Sequence, residues 1–106
     1  MVSQALLHSV RDRLVKGFHP VRIILFGSQA RGQADARSDI DLLVVCPFSG
    51  SRQELMLQMD RSLKGLEIAR DILVMQPEEF ERDKDIPGTI ARPASQEGVV
   101  LYERNG

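Results

Sequence analysis

Two apolar runs, Val21-Arg22-Ile23-Ile24-Leu25-Phe26 and Leu42-Leu43-Val44-Val45, flank a polar segment that opens with Gly27-Ser28 and, ten residues later, closes with Asp39-Ile40-Asp41. Both runs read as strands, so the second begins with a pair of acids rather than with more apolar residues. Strand alternation points residues 39 and 41 out of the same face, which sets the two carboxylates side by side. An unpaired charge in so apolar a setting would cost several kcal/mol. A bound cation would relieve the repulsion between the two acids. At the other end of the segment, Gly27 has no Cβ and lets a phosphate approach the backbone, while Ser28 offers a hydroxyl and an amide. If Ser28 opens a helix, the helix dipole adds anion affinity. Gly-Ser alone is usually a capped turn, and Asp-x-Asp alone is usually a solvated one. Together, set between two apolar runs, they read as a phosphate-holding turn beside a metal-binding carboxylate pair.

A third acid would complete a two-metal site. Asp71 interrupts the apolar run of residues 68–75 much as Asp41 precedes its own. Alternation puts Asp71 with Leu73 and Met75 on one face, and Ile72 and Val74 on the other. If this third strand pairs beside the second, Asp39, Asp41 and Asp71 converge, and two magnesium ions about 3.5 to 4 Å apart would be held there. Glu67 has the same parity but falls at the start of the strand, where a solvated role is expected. Arg31 follows Ser28 by three residues, within reach of the same helix face, and is a candidate phosphate partner. Arg37 is expected to be an exposed arginine.

The remaining elements alternate. Val2, Leu6, Val10 and Leu14 recur at helical spacing, which predicts a helix over residues 2–16 ended by Gly17. Leu55, Met59, Leu63 and Leu66 mark a second helix starting near Ser51. Pro77-Glu78-Glu79-Phe80 puts proline and acids in the first turn of a short helix reaching about Lys84. A further short helix over residues 89–97 would have Gly98 as C-cap, with Pro93 tolerable only in its first turn. Residues 99–102 predict an edge strand. The order helix, strand, strand, helix, strand, helix, helix implies an α/β (α+β) domain, a small mixed β-sheet backed by helices.

With 106 residues, 42% of them apolar, the chain suits one domain spanning 1–106 that buries roughly 65% of its unfolded surface. A second, substrate-binding domain is not expected. A formal net charge of -1 gives no general attraction to nucleic acid, so direct nucleic-acid binding is not expected. Cys46 is the only cysteine and reads as a buried thiol closing a strand. His8 and His19 lack partners at ligand spacing. No apolar stretch approaches the ~20 residues that span a bilayer, and residues 1–16 do not resemble a signal peptide. The expected location is the cytoplasm.

The runs Leu25-Phe26-Gly27-Ser28-Gln29-Ala30-Arg31-Gly32 and Ser38-Asp39-Ile40-Asp41-Leu42-Leu43-Val44 resemble the minimal nucleotidyltransferases of the DNA polymerase beta superfamily. Further matches are Arg70-Asp71-Ile72-Leu73-Val74 and Glu97-Gly98-Val99-Val100-Leu101-Tyr102, so the resemblance covers most of the chain. It implies the polymerase beta-like fold and magnesium-dependent transfer of AMP from ATP to a hydroxyl, releasing pyrophosphate. Gly27 and Ser28 would hold the triphosphate. Asp39 and Asp41 would bind both metal ions, and Asp71 would bind the catalytic one and assist deprotonation of the acceptor. Stand-alone domains of this kind often accompany a HEPN-domain RNase toxin and act as its antitoxin, attaching AMP to it, typically at a tyrosine. The resemblance therefore implies a HEPN toxin as partner. Two alternatives stand beside it: an antitoxin that neutralises by binding alone, and a nucleotidyltransferase acting on RNA or a small molecule with a separate acceptor-binding subunit.

Overall fold

The computed structural model describes residues 3–26 and 40–104. Its elements run α1 (Gln4–Phe18), β1 (Arg22–Phe26), β2 (Ile40–Val45), α2 (Arg52–Ser62), β3 (Arg70–Met75), α3 (Pro77–Asp83), α4 (Ala91–Glu97) and β4 (Val99–Glu103). The strands form one mixed sheet in the order β3-β2-β1-β4. β1 is antiparallel to both β2 and β4, whereas β2 and β3 are parallel. A parallel pair needs a crossover, and α2 supplies it.

Alternation along β2 sorts the core into two layers. Ile40, Leu42 and Val44 pack with Leu7, Val10 and Leu14 of α1 and with Met59 of α2. Leu43 and Val45 pack on the opposite face with Met75, with Phe80 of α3 and with Ala91 and Ala94 of α4. Both faces of the central strand are therefore covered, which is why β2 reads as an almost unbroken apolar run. Cys46 ends that run as a buried thiol, its pKa raised by burial. Among the described residues, no helix is long and apolar enough to cross a membrane.

The helix ends differ from the expected ones for local reasons. α1 runs through Gly17 to Phe18 and stops at His19, whose left-handed backbone (φ 51°) lets its N–H bond the Val15 carbonyl. A glycine inside a helix costs only about 1 kcal/mol, while the buried Pro20 that follows cannot continue it. α2 begins where expected, with Ser51 accepting from the Glu54 N–H, but ends at Ser62 before the positive-φ Gly65. Leu63 and Leu66 lie past its end and still pack against the core. β3 starts at Arg70 rather than at residue 68. α4 starts at Ala91, which places Pro93 in its first turn.

Gly98 caps α4 in an extended rather than a left-handed conformation, with φ -76°. Glycine is required there by space. A Cβ would collide with the Ala94 carbonyl oxygen and the Ile24 side chain, and would crowd the Leu25 carbonyl at 3.2 Å. Two of those three obstacles are backbone and cannot rotate away. Gly98→Ala is therefore expected to destabilise the protein by about 1–3 kcal/mol, read as a lower urea midpoint.

Candidate active site

β2 and β3 begin at the same end of the sheet, and their register pairs Ile40 with Arg70 and Asp41 with Asp71. Register partners on neighbouring parallel strands lie about 4.8 Å apart and project from the same face. Asp41 has the parity of Leu43, and Asp71 that of Leu73 and Met75, so both carboxylates belong to the sheet face that carries α3 and α4. That face closes progressively along β3. Asp71 is exposed, Leu73 is half-buried and Met75 is buried, so the acids occupy the open end of a face whose other end is core. Asp41 is half-buried beside them.

β1 brings a third feature to the same place. Phe26, its last residue, is the register partner of Asp41. Gly27 follows Phe26 directly in the chain, so the Gly-Ser dipeptide comes next in sequence after the residue paired with Asp41. Gly27, Ser28, Arg31, Arg37 and Asp39 themselves lie outside the described residues. Glu67 is exposed ahead of β3, and His8 and His19 are exposed as well.

The donor set suits a hard divalent cation. Carboxylate oxygens are what Mg2+ prefers, and two of them on adjacent strands of a packed sheet are held close at no further cost in chain ordering. Among the described residues, no three His, Cys, Asp or Glu cluster as a metal site, and Asp41 and Asp71 are two candidate ligands. Asp39, by sequence, would make the third.

The chain matches the family model described as a nucleotidyltransferase domain over residues 7–95. It belongs to the nucleotidyltransferase domain family. That span takes in β1, β2 and β3, and with them Asp41 and Asp71. Comparison with solved structures agrees on the fold. A proposed nucleotidyltransferase from Sulfolobus solfataricus superposes with a TM-score of 0.65 at 22% identity, covering 94% of this chain and 79% of that one. A toxin–antitoxin structure with AMP-PNP superposes with a TM-score of 0.57 at 19% identity, covering 92% of this chain and 74% of that one. Comparison with curated protein sequences gives no match.

Sequence reasoning passed over the arginines that frame this nucleotidyltransferase domain. Arg52, in the first turn of α2, makes two 2.9 Å bonds to the carboxylate of Glu79 and so ties α2 to α3. Glu79 also accepts from the Gln76 N–H, and that bond, ahead of Arg52, holds its carboxyl below the usual value against the opposing effect of burial. Arg70 is the other case. It borders a cavity of about 370 Å³ between α2 and β3, whose lining includes Met56, Leu57, Asp60, Asp71 and Ile72. An arginine beside an acid in a strand carries no distinctive sequence signal, because its acceptors are mostly backbone carbonyls.

Proposed function

We propose that the chain is a magnesium-dependent nucleotidyltransferase that moves AMP from ATP to a hydroxyl of a partner protein, a tyrosine of a HEPN RNase toxin, and thereby acts as its antitoxin in the cytoplasm. The observation that carries the chemistry is the registered Asp41–Asp71 pair at the open end of a nucleotidyltransferase-family sheet. Support for the partner comes from the resemblance of the motifs to stand-alone antitoxin domains. The likeness to a toxin–antitoxin structure with AMP-PNP is consistent with it.

In this reading Gly27 and Ser28 hold the triphosphate and Arg31 pairs with one of its oxygens. Asp39 and Asp41 would hold two Mg2+ ions and Asp71 one of them; bound there, Mg2+ would supply neutralisation of phosphate charge and a lowered pKa for the acceptor hydroxyl. Asp71 receives the acceptor proton as the acceptor oxygen bonds to the α-phosphorus, and the bond from that phosphorus to the bridging oxygen breaks to release pyrophosphate. No side-chain nucleophile takes part. Positioning and charge stabilisation account for the acceleration.

The test is incubation with α-labelled ATP, Mg2+ and the proteins encoded by the neighbouring genes, a HEPN RNase toxin being expected among them. Label is expected on the toxin, and mass spectrometry should place AMP on a tyrosine. Neutralisation of the toxin without any label transfer would replace this reading with neutralisation by contact. Label appearing on RNA instead would assign the acceptor to nucleic acid.

A further inference from the structure

Arg70 precedes Asp71 and is the first residue of β3, yet its side chain is only 13% exposed. Its guanidinium turns back under the strand. Nε donates to Asp60 Oδ1 at 2.9 Å and Nη2 to the Asp60 carbonyl at 3.0 Å. Nη1 donates to the carbonyls of Leu66 at 3.2 Å and Ile68 at 3.1 Å. One side chain thus spans the last turn of α2 and the whole connection to β3. The same stretch is held from a second side by Arg13 of α1, whose Nη1 donates to the carbonyls of Ser62 at 3.3 Å and Lys64 at 2.8 Å.

That connection determines how β3 meets β2. The Ala69 carbonyl accepts from the Ile40 N–H at 3.0 Å, and the next steps of the ladder are Ile40 with Arg70 and Asp41 with Asp71. A slip of one residue would turn Asp71 to the opposite face and break the carboxylate pair. The first residues of a strand are where fraying is easiest, and β3 is an edge strand.

We infer that Arg70 is the positioning residue for the carboxylate pair, clamping the α2–β3 connection so that Asp71 stays opposite Asp41 in the geometry that holds a divalent cation. The inference rests on the metal-binding role given to that pair under Proposed function. A planar guanidinium with five N–H groups in a fixed fork is needed for it. Lysine keeps the charge but cannot serve Asp60 Oδ1, Asp60 O, Leu66 O and Ile68 O at once.

Mn2+ titration of the whole chain, followed by the electron paramagnetic resonance signal of the free ion, tests this alongside thermal unfolding. Arg70→Lys is expected to weaken Mn2+ binding about tenfold, with Asp60→Asn acting in the same direction. Leu14→Val, in the fully buried core of α1, serves as the control for lost stability and should leave Mn2+ affinity unchanged. Arg70→Lys with a lowered melting temperature but wild-type affinity would reduce the residue to a structural role and overturn the inference. If Arg70→Lys fails to fold, Asp60→Asn decides by the same two readouts. Absence of Mn2+ binding by the wild type, or binding that survives Asp41→Asn with Asp71→Asn, would overturn the metal reading itself, and the inference with it.

Discussion

Asp41→Asn and Asp71→Asn are each expected to lower the rate of nucleotidyl transfer by about a thousandfold or more while the fold stands. Asparagine keeps the shape of aspartate and removes the charge that would hold a divalent cation. Loss of several kcal/mol of transition-state stabilisation, at 1.36 kcal/mol per factor of ten, gives that magnitude. For Asp71→Asn stability should move little in comparison, because Asp71 is exposed at the open end of the sheet face. Initial rates with labelled ATP, set against melting temperatures, separate the two effects. An Asp71→Asn protein that keeps more than a tenth of the activity would remove Asp71 from the chemistry. The exposed Glu67, ahead of β3, would then be the next acid to substitute.

The strands were legible because their apolar runs are short and bounded by turn residues, and parity alone gave Asp71 its face with Leu73 and Met75. Parity could not say that β3 pairs with β2, or that it does so in parallel with Asp41 opposite Asp71. Pairing order depends on which edges the helices leave open, which no local pattern encodes. The ends of α1 and α2 were misplaced for a related reason. Gly17 looked like a stop, but the stop belongs to His19 and Pro20, while Leu63 and Leu66 keep the apolar period of α2 after its backbone has left the helix. Gly98 was placed correctly at the end of α4 as its C-cap, whereas the need for glycine comes from the Ala94 carbonyl of α4 itself and the Ile24 side chain of β1. The Arg70 clamp was invisible because backbone carbonyls can belong to any residue. Motifs therefore mark where chemistry is expected, and the contacts that aim those motifs are seen only once distant segments meet.

Phe80→Ala is expected to cost about 3–5 kcal/mol, against a total stability of about 5–15 kcal/mol for a domain of this kind. The upper part of that range follows from how thin the second core layer is. α3 and α4 are seven residues each, and their buried side chains are Phe80, Ala91 and Ala94. The two alanines have nothing to extend into the space a missing ring would leave, so the cavity against Ile24, Leu43, Val45 and Met75 would stay open. The ring also lies under the Arg22 guanidinium, whose carbon is 5.4 Å from the ring centroid, so a cation–π contact is lost as well. A lower urea midpoint with an unchanged slope would show that stability has fallen without a change in the surface exposed on unfolding. The effect on catalysis should be small wherever the variant is still folded. Phe80 packs with Met75 at the closed end of the β3 face, whereas Asp71 stands at the open end, four residues back along the strand. Transfer measured at low temperature should therefore stay near the wild-type rate and fall away only as the protein unfolds. A rate already depressed in the folded variant would mean that the second core layer also sets the spacing of the carboxylates.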